Sequence, residues 1–429
     1  MTIVRARALD TPSDPLTGGD LRSDEDVALL VVDGVIVERG PYPAIRAGHP
    51  DADVDDLRDG ILLPGLVDTH VHHPQMRAIG ALGMPLLEWL EQCALPEELR
   101  MADPAYARAV AGEFVSGLVS AGTTTALVFG SHFAGAVEAL LQETSRVGLR
   151  VTTGLVVSDR GLPEPLLTTP ELAYTQSLVL ARRWHGQGRT RYAVTPRFSW
   201  SAGDEMLAAC AAVQRDVPGS WFTSHVNENP AEVAEVAALF PAAAHYVDTY
   251  DRHGLLGSRS VLAHNVHATD SELRVLAARG ASVAHCPTSN VALGSGLFPL
   301  RRHLEHGVHV ALGTDVGAGT GFSLFKEALQ ASFGQHMLGE DGVRLTSTHL
   351  LHLATGAGAR ALGLGDQIGD LGVGKQLDAV WVRPPADGTL DVCLRHASSA
   401  QDALAKIFAL GSEHDIAGVW VAGERIKGR

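Results

Sequence analysis

The chain has 429 residues, 45% hydrophobic and 19% charged, the composition of a soluble globular protein long enough for one large domain and a smaller one. Its formal net charge of −15 argues against a nucleic-acid backbone or an anionic membrane as partner and leaves a small, uncharged molecule as the natural substrate class. Cys93, Cys210, Cys286 and Cys393 are far apart with no Cys-X-X-Cys, so neither a disulfide framework nor a thiolate zinc site is expected. No apolar leader opens the chain, and no stretch approaches the ~20 apolar residues that span a bilayer, so a cytoplasmic location is expected.

Residues 3–59 read as short alternating strands, such as 28–32 and 35–39 joined by the turn Asp33-Gly34. From 61 to about 316, apolar strand-like runs alternate with Ala/Leu-rich helical stretches. Strands are predicted at 62–72, 123–132, 151–159, 192–200, 221–226, 261–264, 282–285 and 308–315. Helices are predicted at 105–120, 134–146, 204–215, 231–239, 270–279 and 298–306, with Gly122, Gly148, Gly280 and Gly307 marking the step into the next strand. Eight strands with helical crossovers predict an α/β fold, the closed parallel TIM (β/α)8 barrel. An open doubly wound sheet is the alternative, and the lack of Gly-X-Gly-X-X-Gly after the first strand weighs against it. Further strands at 378–383 and 419–422 pair in expectation with the amino-terminal ones. The expected organisation is a small β-sandwich domain from 1–60 and 370–429, with the barrel, 61–369, inserted between.

Barrel chemistry gathers at the C-terminal ends of strands, and four predicted strand tips carry suitable residues. The first ends in His70-Val71-His72; alternate residues of a strand face one way, so both imidazoles can reach one point. The fifth ends in His225, with Glu228 three residues on; the sixth ends in His264; the eighth ends in Asp315. Imidazoles and a carboxylate converging at one mouth suit Zn2+, one per subunit, or Fe2+ or another divalent ion, holding a reactive water. Each residue also has a structural reading. A strand-end histidine can simply be hydrogen-bonded, Asp315 can cap the next helix, and Glu228 can sit in a helix's first turn. Taken together in this strand order, convergence on a metal is the better account.

Other histidines carry less. His73 faces away from the pair, His132 is a candidate for the layer behind the ligands, and His285 either lines the pocket or sits in the core. His303, His306 and His309 read as surface, and His267 as loop. The only lysines are Lys326, Lys375, Lys406 and Lys427, all beyond the eighth strand, which excludes a metal pair bridged by a carbamylated lysine on the fourth. That strand instead carries Thr195-Pro196-Arg197-Phe198-Ser199. Arg197 offers a planar donor fork and Phe198 a ring face, with a salt bridge and barrel packing as their structural alternatives. Trp89 reads as core of a short helical turn or as part of a lid.

The set His70-X-His72, His225, His264 and Asp315 resembles the amidohydrolase superfamily, in its mononuclear aminohydrolase branch. Within that branch the segments Pro64–Gln75, Leu86-Leu87-Glu88-Trp89-Leu90, Thr195–Ser199, Ser224–Asn229, Ala284–Asn290 and Gly313-Thr314-Asp315 are similar to those of the guanine deaminases. The resemblance implies deamination of guanine to xanthine and ammonia in purine catabolism. Gln75, Arg197 and Phe198 would contact the base, Glu228 and Asp315 would move protons, and His264 would both hold the metal and steer the attacking oxygen. It also implies a homodimer. His73-Pro74-Gln75 and His264-Asn265-Val266-His267 depart from some members. A related aminohydrolase acting on 8-oxoguanine, a pterin, a cytosine-like ring or a triazine is the alternative; a non-catalytic assembly module would be expected to have lost ligands present here.

Overall fold

The computed structural model describes residues 1–428. Two sheets organise the chain. Eight parallel strands follow one another in sequence order: Leu66–His72, Thr123–Phe129, Arg150–Gly154, Thr190–Pro196, Trp221–Val226, Ser260–His264, Ser282–His285 and His309–Leu312. The last returns to the first: Thr69 Oγ1 donates to Leu312 O at 2.7 Å, Asp315 N to His70 O at 2.8 Å and His72 N to Val316 O at 2.9 Å. These bonds close the expected TIM barrel. Its strands are buried along their length except at Arg191 and His309, which are half-buried, as expected of parallel strands covered on both faces.

The crossover helices follow local rules. In Asp270–Arg279, Thr269 and Glu272 form a capping box, Leu273 and Leu276 face the core, and Gly280, left-handed at φ 67°, ends the helix two residues before the next strand. No helix among the described residues is long and apolar enough to cross a membrane.

The β-sandwich expected from the chain ends takes the form of one continuous seven-stranded sheet. Its order is Glu424–Lys427, Ile416–Val421, Ala379–Val382, Asp53–Pro64, Thr2–Asp10, Arg22–Val32, Val35–Pro41, antiparallel except for the pair Thr2–Asp10 and Asp53–Pro64. Strand alternation splits its residues between two cores. Leu62, Ala379 and Trp381 pack with Trp420 within the sheet's own core, while Ile61, Leu63, Val380 and Val382 join the barrel core.

Three expectations change. The predicted strand 62–72 is two strands that meet at Gly65: Asp53–Pro64 belongs to the small sheet and Leu66–His72 to the barrel, so the sheet's chain runs past residue 60. Residues 370–429 are not all sheet. Helices Thr389–Arg395 and Ala400–Leu410 interrupt them, and Ala403, Leu404, Ile407 and Phe408 pack into the barrel's outer layer, Phe408 edge-on to Phe325 at 5.6 Å. His303 is buried rather than on the surface: its ring lies 4.3 Å from that of Phe298 and its Nε2 accepts from Asn265 Nδ2 at 2.9 Å. His306 and His309 are half-buried, each held to a backbone carbonyl.

Gly65 is the hinge between sheets because nothing larger fits: a Cβ there would stand 2.2 Å from Thr124 Oγ1 and 2.6 Å from Thr124 Cγ2. Gly65→Ala should therefore push the first two barrel strands apart and destabilise the fold by about 1–3 kcal/mol. Urea unfolding should show a lower midpoint at unchanged slope; an unaltered midpoint would mean that the seam yields freely.

A candidate metal centre at the barrel mouth

The strand tips of the closed barrel bring the predicted ligands together. Ligand atoms of His70, His225, His264 and Asp315 all lie within 4.8 Å of one another, and all four residues are buried. His72 completes the group, its Nε2 3.2 Å from His70 Nε2, 3.1 Å from His225 Nε2 and 3.2 Å from Asp315 Oδ1. His70 Nε2 is also 3.2 Å from Asp315 Oδ1. Ligand atoms about 2.0–2.1 Å from a tetrahedral ion stand about 3.3 Å from each other, so these spacings match the edges of a coordination shell.

The backbone aims these side chains by leaving the strand conformation. His264 and Asp315, and the neighbours Asn227 and Asn265, have φ between 49° and 71°, a left-handed region that residues with a Cβ seldom occupy. Asn227 thereby turns Glu228 inward, placing its Oε2 3.4 Å from His264 Nε2.

Which ring nitrogen faces the centre is decided by what holds the other. His225 Nδ1 stands 2.7 Å from Arg197 O, a carbonyl that can only accept, so Nδ1 carries the proton and Nε2 is free as a ligand. His264 Nδ1 is held likewise at 3.0 Å by Asn290 Oδ1. Burial favours the neutral form of three of the rings: it lowers His70, pushes His72 down to about 4 and, joined by the neighbouring His70 and His72, holds His225 well below its usual value. For Asp315 burial acts the other way, but hydrogen bonds from His70 and His72 hold its carboxyl well below the usual range. Burial and the adjacent Asp315 lift Glu228 well above it. Four imidazoles, one carboxyl held low and one pushed up therefore share one mouth, and the donor set fits a divalent ion.

A small cavity opens beside the cluster. His72, His225, His264, Asp315 and Glu228 form its floor; Gln75, Arg197 and Phe198 form one wall. Its roof is Leu86, Trp89 and Leu90, from helix Leu86–Trp89 and the π-helical turn Leu90–Ala94 that follows. Trp89 thus lines the pocket as well as packing with Phe198 and Leu293. His285 does not line it: buried, it stacks on Phe298 at 4.3 Å. His73 points away, edge-on to Phe114 at 5.4 Å.

Two residues escaped the sequence reading. Asn290 stood in a recognised segment but had no assigned task. Glu98, on helix Leu95–Arg100, accepts from Gln75 Nε2 at 2.7 Å and from Arg197 Nη1 at 2.5 Å, and its second oxygen is 3.2 Å from His132 Nδ1. His132 therefore belongs behind the substrate wall rather than behind the ligands. Nothing separates Glu98 from its neighbour Glu97 in the sequence, because both lie in a charged helical turn.

Asn290→Ala removes the acceptor that orients His264. Metal affinity should fall roughly 10–100-fold in a competitive chelator titration, and an unchanged affinity would remove Asn290 from the assembly of the centre.

Comparison with known proteins agrees with the geometry. The family model described as "Amidohydrolase family" matches residues 61–426. The chain is 58% identical to a probable guanine deaminase of Deinococcus radiodurans, over 99% of this chain and 98% of that one. The solved structure of E. coli guanine deaminase superposes with a TM-score of 0.95 at 37% identity, covering 99% of each chain. That of guanine deaminase from C. acetobutylicum with bound guanine gives 0.91 at 25% identity, again covering 99% of each. The chain belongs to the amidohydrolase family and, within it, to the guanine deaminases.

Proposed function

We propose that the protein hydrolyses guanine, guanine plus water giving xanthine plus ammonia, in a site held together by one divalent ion. The observation that carries this reading is the shared cavity: Gln75, Arg197 and Phe198 line the same small space as Glu228 and Asp315. A flat, neutral base rich in donor and acceptor edges suits that wall. Arg197 offers N–H groups to the ring carbonyl, Gln75 offers a polar edge, and Phe198 covers a face.

His70, His72, His225, His264 and Asp315 would hold the ion, with Zn2+ favoured by the nitrogen-rich set and Fe2+ as the alternative. When bound, such an ion lowers the pKa of a coordinated water from ~15.7 to about 7. Glu228, kept protonated by burial, donates to a ring nitrogen and makes the amidine carbon electrophilic. Asp315, kept ionised, takes a proton from the attacking water and returns one to the departing amine. His264, 3.4 Å from Glu228 and 3.9 Å from Asp315 Oδ2, stands between the two carboxyl groups and can hydrogen-bond the incoming oxygen. The same reading makes the enzyme a cytoplasmic homodimer of purine catabolism, an inference from family resemblance.

Ammonia release from guanine, 8-oxoguanine, adenine, cytosine and pterins tests the substrate directly. Guanine should be the best substrate by kcat/KM; preference for another base would retain the chemistry and overturn the substrate. Glu228→Gln should keep its metal and lose roughly 10²–10⁴-fold in kcat. Full turnover by that variant would take the proton-donor role away from Glu228.

A further inference from the structure

The cavity's recognition wall contains a charge that nothing in the proposed chemistry uses. Arg197 is a guanidinium only 3% exposed, and a neutral purine gives it no counter-charge. An uncompensated buried cation would cost several kcal/mol and would select an anion in preference to a neutral ring. Its compensation is Glu98, 2% exposed, whose Oε1 accepts from both Arg197 and Gln75. Burial alone would raise this carboxyl, but Arg197 and His132 hold it below the usual range, so it remains an anion.

Glu98 also decides which way the Gln75 amide faces. With Nε2 committed to Glu98, the carbonyl oxygen is the end left for the cavity, where it accepts from a ring N–H or amino group. Arg197 spends part of one Nη1 on Glu98 and keeps its remaining N–H groups for a carbonyl. The helix that carries Glu98 follows directly on the segment that roofs the cavity. One carboxylate therefore ties the roof, the turn after the first strand and the loop after the fourth into a single recognition edge.

We propose that Glu98 is a positioning residue for substrate selection: it orients Gln75 as an acceptor and neutralises Arg197, so that the pocket prefers the neutral guanine substrate to an anionic ring. The inference rests on guanine being the substrate. It has a consequence for release, because the product carries one more ring carbonyl than the substrate and ionises more readily. A neutral wall lets an ionised product leave; a bare Arg197 would hold it.

The test compares wild type, Glu98→Gln and the double variant Glu98→Gln/Arg197→Gln, under alkaline conditions that ionise xanthine. For each, KM and kcat for guanine and the inhibition constant for xanthine are measured. Wild-type turnover of guanine tests the activity independently of Glu98; if another base proved to be the substrate, the same three variants would be compared with that base and its product. Glu98→Gln should raise KM for guanine about tenfold with kcat within about threefold, because Glu98 touches no reacting atom, while xanthine inhibits at least tenfold more tightly. The double variant should lose the tightening, having lost the charge that causes it. A role in packing alone would weaken guanine and xanthine together, and that result, or tightening that persists in the double variant, would overturn the proposal. If Glu98→Gln failed to fold while the double variant folded, the unpaired charge would be the cause and the proposal would stand. Failure of both to fold would make Glu98 a structural residue and refute it.

Discussion

The structure depends on the seam between the first and last barrel strands. Thr69 and Leu312 are 243 positions apart, yet the threonine hydroxyl bonds the leucine carbonyl, and a little further along Asp315 N donates to His70 O. Closing an arc of that length costs conformational entropy that no single contact offsets. It is recovered across the barrel core and its helical jacket, and the reward is geometric. Only in a closed barrel do residues from the first, fifth, sixth and eighth strands point at one spot. Gly65 sits at the root of this seam, where the chain leaves the small sheet, and the intolerance of a Cβ there shows how closely sheet and barrel are docked.

Convergence creates an electrostatic problem, and the site's chemistry follows from its solution. Four imidazoles and two carboxyl groups are packed into a buried mouth. Burial lowers His70, His72 and His225 and raises Glu228, while Asp315, bonded to two rings, is held low. The two carboxyl groups near His264 are thereby shifted in opposite directions, the condition under which one can serve as acid and the other as base. The surrounding polar layer makes this arrangement specific: Arg197 O and Asn290 Oδ1 set the tautomers of His225 and His264, and the Arg197 side chain faces the cavity from the same loop. Metal floor and substrate wall are thus one connected structure.

Much of this was legible in the sequence, for identifiable reasons. His70 and His72 alternate along an apolar strand, and Asp315 lies three residues beyond the end of the last one, so period and position located them. The tip rule found His225 and His264 in the same way. Gln75, Arg197 and Phe198 lie beyond strand ends; Arg197 and Phe198 stood out as a donor fork and a ring face, but only family resemblance gave the three a base-binding role. The strand break at Gly65 had a readable signal, the pair Pro64-Gly65, but the apolar residues on both sides of it read as one strand and neither side favours one sheet over the other. Helix Ala400–Leu410 had a readable signal, apolar Ala403, Leu404, Ile407 and Phe408 at helical spacing, which the expectation of an all-strand carboxyl end obscured. Glu98 could not be found at all. Its importance comes from three partners at positions 75, 132 and 197, and no local pattern encodes a meeting of that kind.

The central claim is that residues from four strands assemble one ion site on which deamination depends. It is tested most directly by metal analysis of the purified protein, followed by chelation and stepwise return of Zn2+ with guanine turnover measured at each step. The account predicts about one equivalent of divalent metal per chain, loss of turnover on chelation and recovery that saturates at one equivalent. Full guanine turnover by verified metal-free protein would contradict it.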